Sequence, residues 1–280
     1  MTVTAPFAYF GGKTRLASQI VALLPEHQHY VEPFAGSLAV LLAKPRAEME
    51  TVNDLDGDLM TFWRVLRDRP EDLALHMALT PHSRAEHQAA YDLDTDDELE
   101  RARRVWVLLS QGRGGTLRRT GWRFYRDPKA STYSFPEYLA AYVNRVPACA
   151  ERLAGVSLEC RDALELIVDY GRHPSTLLYC DPPYVGSTRA ANYRHEMTSD
   201  AQHRVLAAAL LDCHAAVVLS GYHSPLYEDL YDGWHRAEIK AWTGNGIRNG
   251  ATKTDGDRTE VLWSNRPFPT EDLRMFEVTA

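Results

Sequence analysis

Leu177-Leu178-Tyr179-Cys180 is an unbroken apolar run that ends at Asp181-Pro182-Pro183-Tyr184. With Thr176 ahead of it, the run reads as a buried strand, and two consecutive prolines, with φ held near about −65° and no N–H to offer, oblige that strand to stop. An acid, a bare carbonyl and an aromatic face therefore leave the strand together. That set suits a planar ring bearing an amino group, which can stack on Tyr184 while its amine donates to Asp181 and to the Pro182 carbonyl. The same residues also read as an ordinary strand end followed by a turn, so their companions along the chain decide between the two.

The flanks alternate strand and helix. Upstream, Lys13 to Leu24 has helical spacing (Leu16, Ile20, Leu23, Leu24) and ends at Pro25. Tyr30-Val31-Glu32 is a short strand running into the tight turn Pro33-Phe34-Ala35-Gly36, with a helix from Ser37 to Leu42 behind it. A strand, a glycine turn and a helix bring a ligand up to backbone N–H groups. Thr51-Val52-Asn53-Asp54 is the next strand, and its terminal carboxylate falls where such folds hold ribose hydroxyls, about 20 residues after the turn. Val156 to Cys160 is a strand and Asp162 to Tyr170 a helix. Beyond the prolines, Ser199-x-x-Gln202 is a capping box for a helix through Leu211, and Ala216 to Ser220 is another buried strand. Two segments, 236–242 and 259–264, pair directly as the last strands. The count is seven strands, which predicts an α/β fold, a doubly wound sheet with an antiparallel edge hairpin.

The pattern changes between residues 67 and 155, which predicts a mainly helical insert dividing a domain made of 1–66 and 156–280. Helices are expected at Glu71–Leu79, at Thr95–Leu109 with a capping box Thr95-x-x-Glu98, and at Phe135–Leu153. Between the last two lies a stretch with neither helical nor strand period, in which Arg113, Arg118, Arg119, Arg123 and Arg126 interleave with glycines and with Trp122, Phe124 and Tyr125. Such a loop can follow a phosphate backbone and press rings against bases. From Arg101 to Lys129 there are nine basic residues against the single acid Asp127, a local charge of +8 in a chain of net charge −7, so that the remainder carries −15. Segregation on this scale points to one region that meets a polyanion.

Other chemistries find less support. Gly12-Lys13-Thr14 resembles the end of a triphosphate-binding loop, but Phe7 stands where that motif needs its first glycine. Metal binding is not expected, since His27-x-His29 and the His82–His87 pair lack a third ligand. No Gly-x-Ser-x-Gly marks a hydrolase, and Gly-x-Gly-x-x-Gly is missing from the glycine turn, which argues against a dinucleotide and leaves a smaller adenosine-bearing cofactor. Cys149, Cys160, Cys180 and Cys213 are scattered and no apolar run approaches the roughly 18 residues that span a bilayer, so the expectation is a reduced, cytoplasmic protein, a monomer or weak dimer without a membrane.

Ala8-Tyr9-Phe10-Gly11-Gly12-Lys13, Val31-Glu32-Pro33-Phe34-Ala35-Gly36-Ser37, Val52-Asn53-Asp54 and Tyr179-Cys180-Asp181-Pro182-Pro183-Tyr184 closely resemble, in that order, the Dam-type DNA adenine-N6 methyltransferases. The resemblance covers both flanks of the insert. It implies an S-adenosylmethionine-dependent enzyme of restriction-modification or Dam type, acting on double-stranded DNA, with Tyr9, Lys13, Glu32, Phe34, Gly36 and Asp181 at the cofactor and Asp54 on its ribose. Asp162 is placed by position near the cofactor adenine. The resemblance also implies that Asp181, Pro182, Pro183 and Tyr184 hold a flipped-out adenine, with Asn192-Tyr193 beside the base. Two departures stand out: Leu38 occupies the second glycine position of the family's turn, and the insert matches only in placement and character. Arg113, Arg118, Arg119, Trp122, Arg123 and Arg126 are the expected DNA contacts. The residues leave open another planar amine (cytosine N4 or a glutamine amide) and a non-catalytic DNA-binding module on the same fold.

Overall fold

The computed structural model describes residues 3–127, 134–184, 194, 197, 199–242, 257–269 and 277–279, with the side chains of 240–242, 257, 258 and 277–279 excepted. The seven expected strands are β1 (His29–Glu32), β2 (Met49–Asn53), β3 (Ser157–Glu159), β4 (Thr176–Cys180), β5 (Ala216–Gly221), β6 (His235–Trp242) and β7 (Asp257–Ser264). An eighth, β8 (Glu277–Thr279), adds a short edge that its three residues give no pattern to announce.

The sheet order is β3-β2-β1-β4-β5-β7-β6-β8. β1 to β5 pair in parallel, β7 runs antiparallel between β5 and β6, and β8 is antiparallel to β6. The chain winds outward from β1 to β3 and then returns to place β4 on the other side of β1. That reversal leaves a crevice at the carboxyl ends of β1 and β4, the place where open α/β sheets bind ligands. Glu32 ends β1, and Asp181 directly follows the last residue of the neighbouring β4.

Period-two alternation sends the strand side chains into two apolar layers. Tyr30, Val52, Leu177, Tyr179, Val218 and Leu262 face one layer. They pack there with α1 (Ala17–Ala22), α2 (Ala39–Ala43), α3 (Gly57–Asp68), α4 (Pro70–Leu79), α6 (Glu98–Gln111), α7 (Phe135–Val143) and α8 (Val146–Leu153). Val31, Leu178, Cys180, Val217, Leu219 and Trp263 face the other, under α9 (Ala163–Tyr170), α10 (Asp200–Leu211) and α11 (Pro225–Leu230). The short α5 (Arg84–Ala89) precedes α6. Helices α4, α6, α7 and α8 share the first layer with the sheet, and buried Trp106 of α6 donates its indole N–H to the Pro6 carbonyl at 2.9 Å.

Three helix boundaries differ from expectation. The turn at Lys13–Leu16 is not yet helix, so α1 begins only at Ala17. Asp97, not Thr95, caps α6: its carboxylate accepts from Leu99 N–H at 3.0 Å and Glu100 N–H at 3.3 Å, while Thr95 Oγ1 accepts from Asp97 N–H. A carboxylate at a helix N-terminus also meets the positive end of the dipole, which a threonine hydroxyl does not neutralise. Phe135–Leu153 is two helices, because the chain turns at Asn144–Arg145 and Pro147, lacking an N–H, suits the first turn of a new helix rather than the middle of an old one. The Ser199–Gln202 capping box forms as expected, with reciprocal bonds of 3.2 and 3.3 Å.

Candidate active site

The glycine turn after β1 is built by tight backbone geometry. Gly36 has φ +48°, and a Cβ there would stand 3.0 Å from the Tyr9 ring. Its N–H donates to Asp54 Oδ2 at 2.9 Å and its carbonyl accepts from the Trp63 indole at 3.0 Å, so the tip of β2 and helix α3 brace the turn. Leu38 has φ 55° and is fully buried. Leu38 thus holds a left-handed backbone with a leucine side chain, and core packing sustains a conformation that costs a non-glycine residue about 1 kcal/mol or more.

Around this turn lies a cavity of about 440 Å³, within the range of small-ligand sites. Tyr9, Lys13, Glu32, Phe34, Gly36 and Asp54 line it, and so do Asp162, Tyr179, Asp181 and Pro183. Every sequence-predicted cofactor residue therefore reaches one space. Asp162 has a second task, since its carboxylate caps α9 by accepting from Leu164 N–H at 2.7 Å. Arg194 reaches the same rim, where it pairs with Asp56 and Asp58 at the start of α3. Asn192 and Tyr193 lie outside the described residues.

One wall of the cavity is a buried polar network. Lys13 is 6 % exposed, and its Nζ donates to both oxygens of Asp181 at 2.7 Å and to the Tyr184 hydroxyl. Tyr184 in turn donates to Glu260 Oε1 at 2.5 Å, and Ser220 donates to the same oxygen at 2.5 Å. Lys13 Nζ stands 3.7 Å from Glu260 Oε1. Burial pushes the lysine's proton affinity down, but Asp181 and Glu260 outweigh it and hold Lys13 above its ordinary pKa. Burial, then Asp181 and Glu260, push the Tyr184 phenol well above its usual range. Its ring packs edge-on against Tyr222, with centroids 4.4 Å apart.

Glu32, 2 % exposed, accepts from the Tyr30 hydroxyl at 2.5 Å and from Leu41 N–H at 2.8 Å. Burial exceeds those two stabilising bonds, so its pKa rises to about 7. Tyr179, 3 % exposed, also lines the cavity; burial pushes its phenol well above the usual range, and the neighbouring Ser220 hydroxyl opposes that rise.

The basic region divides in two. Arg103 and Arg104 on α6 pair with Glu100, Arg103 also with Glu86, and Arg101 lies 3.9 Å from Asp58. These three arginines are neutralised by acids outside the stretch in which they were counted. The loop beyond is closed by Arg113 N–H to the Gly121 carbonyl and Arg123 N–H to the Gln111 carbonyl, and it presents Arg113, Arg118, Arg119 and Arg126 to solvent. Trp122 is occupied within the protein, stacked on His82 at 4.4 Å and covered by Arg84, and Arg123 lies over Tyr138. Tyr125, at 44 % exposure, is the open ring. The Gly115 carbonyl accepts from Phe10 N–H at 2.7 Å, so the loop abuts the segment that carries Tyr9 and Lys13.

Glu260 and Ser220 escaped the sequence reading. Their signal is faint: Glu260 stands two residues before Leu262 and so faces the same apolar layer, a charge where the alternation calls for a hydrophobe. Among the described residues no group of three His, Cys, Asp or Glu is arranged to hold a metal ion, and no helix is long and apolar enough to cross a membrane.

Comparison with known proteins bears on this constellation. The type II methyltransferase M1.LlaDCHI of Lactococcus lactis subsp. cremoris is 28 % identical over an alignment covering 93 % of this chain and 95 % of that one. The retron Ec67 DNA adenine methylase of Escherichia coli is 25 % identical, with 90 % and 88 % covered. The DNA adenine methylase of Vibrio cholerae is 24 % identical, with 91 % and 94 % covered. A family model described as D12 class N6 adenine-specific DNA methyltransferase matches residues 9–244, from the ring against the glycine turn to beyond β6. The chain belongs to that family and is an adenine-specific DNA methyltransferase.

Proposed function

We propose that the protein transfers a methyl group from S-adenosylmethionine to N6 of an adenine flipped out of duplex DNA, at a specific site, in the cytoplasm. The observation that carries this reading is that one cavity runs from the Gly36 turn and Asp54 to Asp181 and Pro183, so a cofactor and an amine can meet inside it. The residues fit a cationic adenosyl cofactor. Asp54, Asp162 and Glu32 line the space with carboxyl groups, and Gly36, where a Cβ would press on the Tyr9 ring, keeps the turn tight against it. Tyr9, Lys13, Glu32, Phe34, Gly36, Asp54 and Asp162 would hold it; when bound, it supplies an electrophilic methyl group.

The chain's own residues do the rest. Residues 67–155 act as the target-recognition insert between 1–66 and 156–280, and Arg113, Arg118, Arg119 and Arg126 follow phosphates, with Arg123 held over Tyr138 behind them. Extrusion of the base costs a few kcal/mol, offset by stacking on Tyr184 and by backbone contacts. Asp181 and the Pro182 carbonyl accept the two N6 hydrogens and draw them out of the ring's conjugation, which turns the nitrogen lone pair toward the methyl group. The nitrogen would bond to the methyl carbon as that carbon's bond to the cofactor sulfur breaks and leaves its electron pair on sulfur, while Asp181 stabilises the positive charge on nitrogen and receives the proton it sheds. The test is mass spectrometry of nucleosides from DNA incubated with the protein and S-adenosylmethionine. N6-Methyladenine is the expected product; N4-methylcytosine, or no methylated base, overturns the proposal.

A further inference from the structure

Lys13 and Asp181 form a contact that the proposed chemistry must undo. Both carboxylate oxygens of Asp181 carry the Lys13 ammonium at 2.7 Å, at the oxygens an incoming amine would need. An ammonium held there would also oppose the positive charge that grows on the nitrogen during transfer, and in a buried site that opposition is screened little. The ammonium cannot leave for water, since Lys13 is 6 % exposed. Among the described residues the other anion within 4 Å is Glu260, with Oε1 at 3.7 Å from Nζ and only 4 % side-chain exposure. A shift of about one ångström would bring Nζ to charge-assisted hydrogen-bonding distance of that oxygen.

We propose that Glu260 is a positioning residue: it receives the Lys13 ammonium when the target amine arrives, and so frees Asp181 for the base. This rests on the adenine-N6 methyl-transfer reading above. Glu260 is built to wait for a cation. It is anchored from two strands' worth of chain by the Ser220 and Tyr184 hydroxyls, both at 2.5 Å, so it need not move to receive one. Burial holds its pKa above the ordinary carboxylate range, Lys13 opposes that rise and Asp181 adds to it, so an ammonium brought closer favours the charged carboxylate. Tyr184 accepts from Lys13 and donates to Glu260, so its hydroxyl bridges the two positions without changing sides.

The test compares the wild-type protein with Glu260→Gln and Glu260→Asp in steady-state methylation of duplex DNA, alongside calorimetric binding of S-adenosylmethionine and thermal melting. Glutamine keeps an oxygen for Tyr184 and Ser220 but offers no charge to Lys13. The expected result is a fall in kcat of at least tenfold for Glu260→Gln, with KM for DNA and cofactor affinity within twofold of wild type, and recovery of at least a third of kcat in Glu260→Asp. Glu260→Gln turning over like wild type overturns the hand-off. So does a loss shared equally by both variants, or one that follows lowered melting temperature and cofactor affinity, because either makes the role structural. Absence of N6-methyladenine from the wild-type reaction overturns the parent reading and the hand-off with it.

Discussion

Asp181 is the residue on which the proposed chemistry turns, and its ion pair with Lys13 makes the expected effect of its removal specific. Asp181→Ala should abolish methylation while calorimetry still detects cofactor, because Gly36, Asp54 and Glu32 remain around the cavity; near-normal turnover by the variant would contradict the mechanism. Glu32 gives a second prediction, through stability. Its folded-state pKa of about 7 lies above the unfolded value, so from the ordinary carboxylate range up to about 7 the folded form retains a proton that the unfolded chain has released. Stability from this group is therefore greatest at acid pH and declines as pH rises to about 7, by about 3 kcal/mol in all. Glu32→Gln keeps acceptors for Tyr30 and Leu41 and does not titrate, so its stability relative to wild type should rise between pH 5 and pH 8 in urea unfolding without cofactor. Residues of this kind differ in how far a sequence exposes them. Asp181, Gly36 and Asp54 each end a local strand-turn pattern and can be read one motif at a time. Glu260 and Ser220 matter only because β7 inserts beside β5, a pairing that neither segment announces by itself.

Among the elements, the strands were more legible than the helix ends. Buried parallel strands appear as apolar runs, and the Ser199 capping box is reciprocal in both sequence and space. The capping-box motif placed the start of α6 at Thr95, whereas the structure caps it two residues later at Asp97, whose carboxylate also meets the helix dipole. The difference can be measured: Asp97→Ala should destabilise the protein by about 1 kcal/mol through the loss of two N–H acceptors, whereas Thr95→Ala should change stability by a few tenths. An equal effect of the two would mean that α6 begins earlier. The break between α7 and α8 follows the same lesson, since Pro147 reads as an interruption until the turn before it is seen. The left-handed Leu38 could not have been inferred from its own side chain; burial among the residues behind the glycine turn is what sustains it.

At the scale of the molecule, charge segregation survives in narrower form. The arginines of α6 answer to nearby acids, which leaves the exposed loop around Arg113, Arg118, Arg119 and Arg126 as the cationic surface. If that loop follows phosphates, DNA affinity should fall steeply with salt, and reversing both Arg118 and Arg119 to glutamate should flatten the log–log salt slope by about 2. An unchanged slope in filter binding would move the DNA elsewhere. The order of the sheet has one more consequence, for how the protein comes into being. Lys13 lies ahead of every strand, Asp181 follows the fourth, and Glu260 sits on the seventh. A growing chain therefore carries its lysine through synthesis of nearly all the remaining sequence before the last acidic partner emerges. A ribosome-bound intermediate halted before β7 would hold the lysine and the aspartate with no third member to arbitrate between them. On the hand-off proposed above, the site is complete only once β7 is paired beside β5.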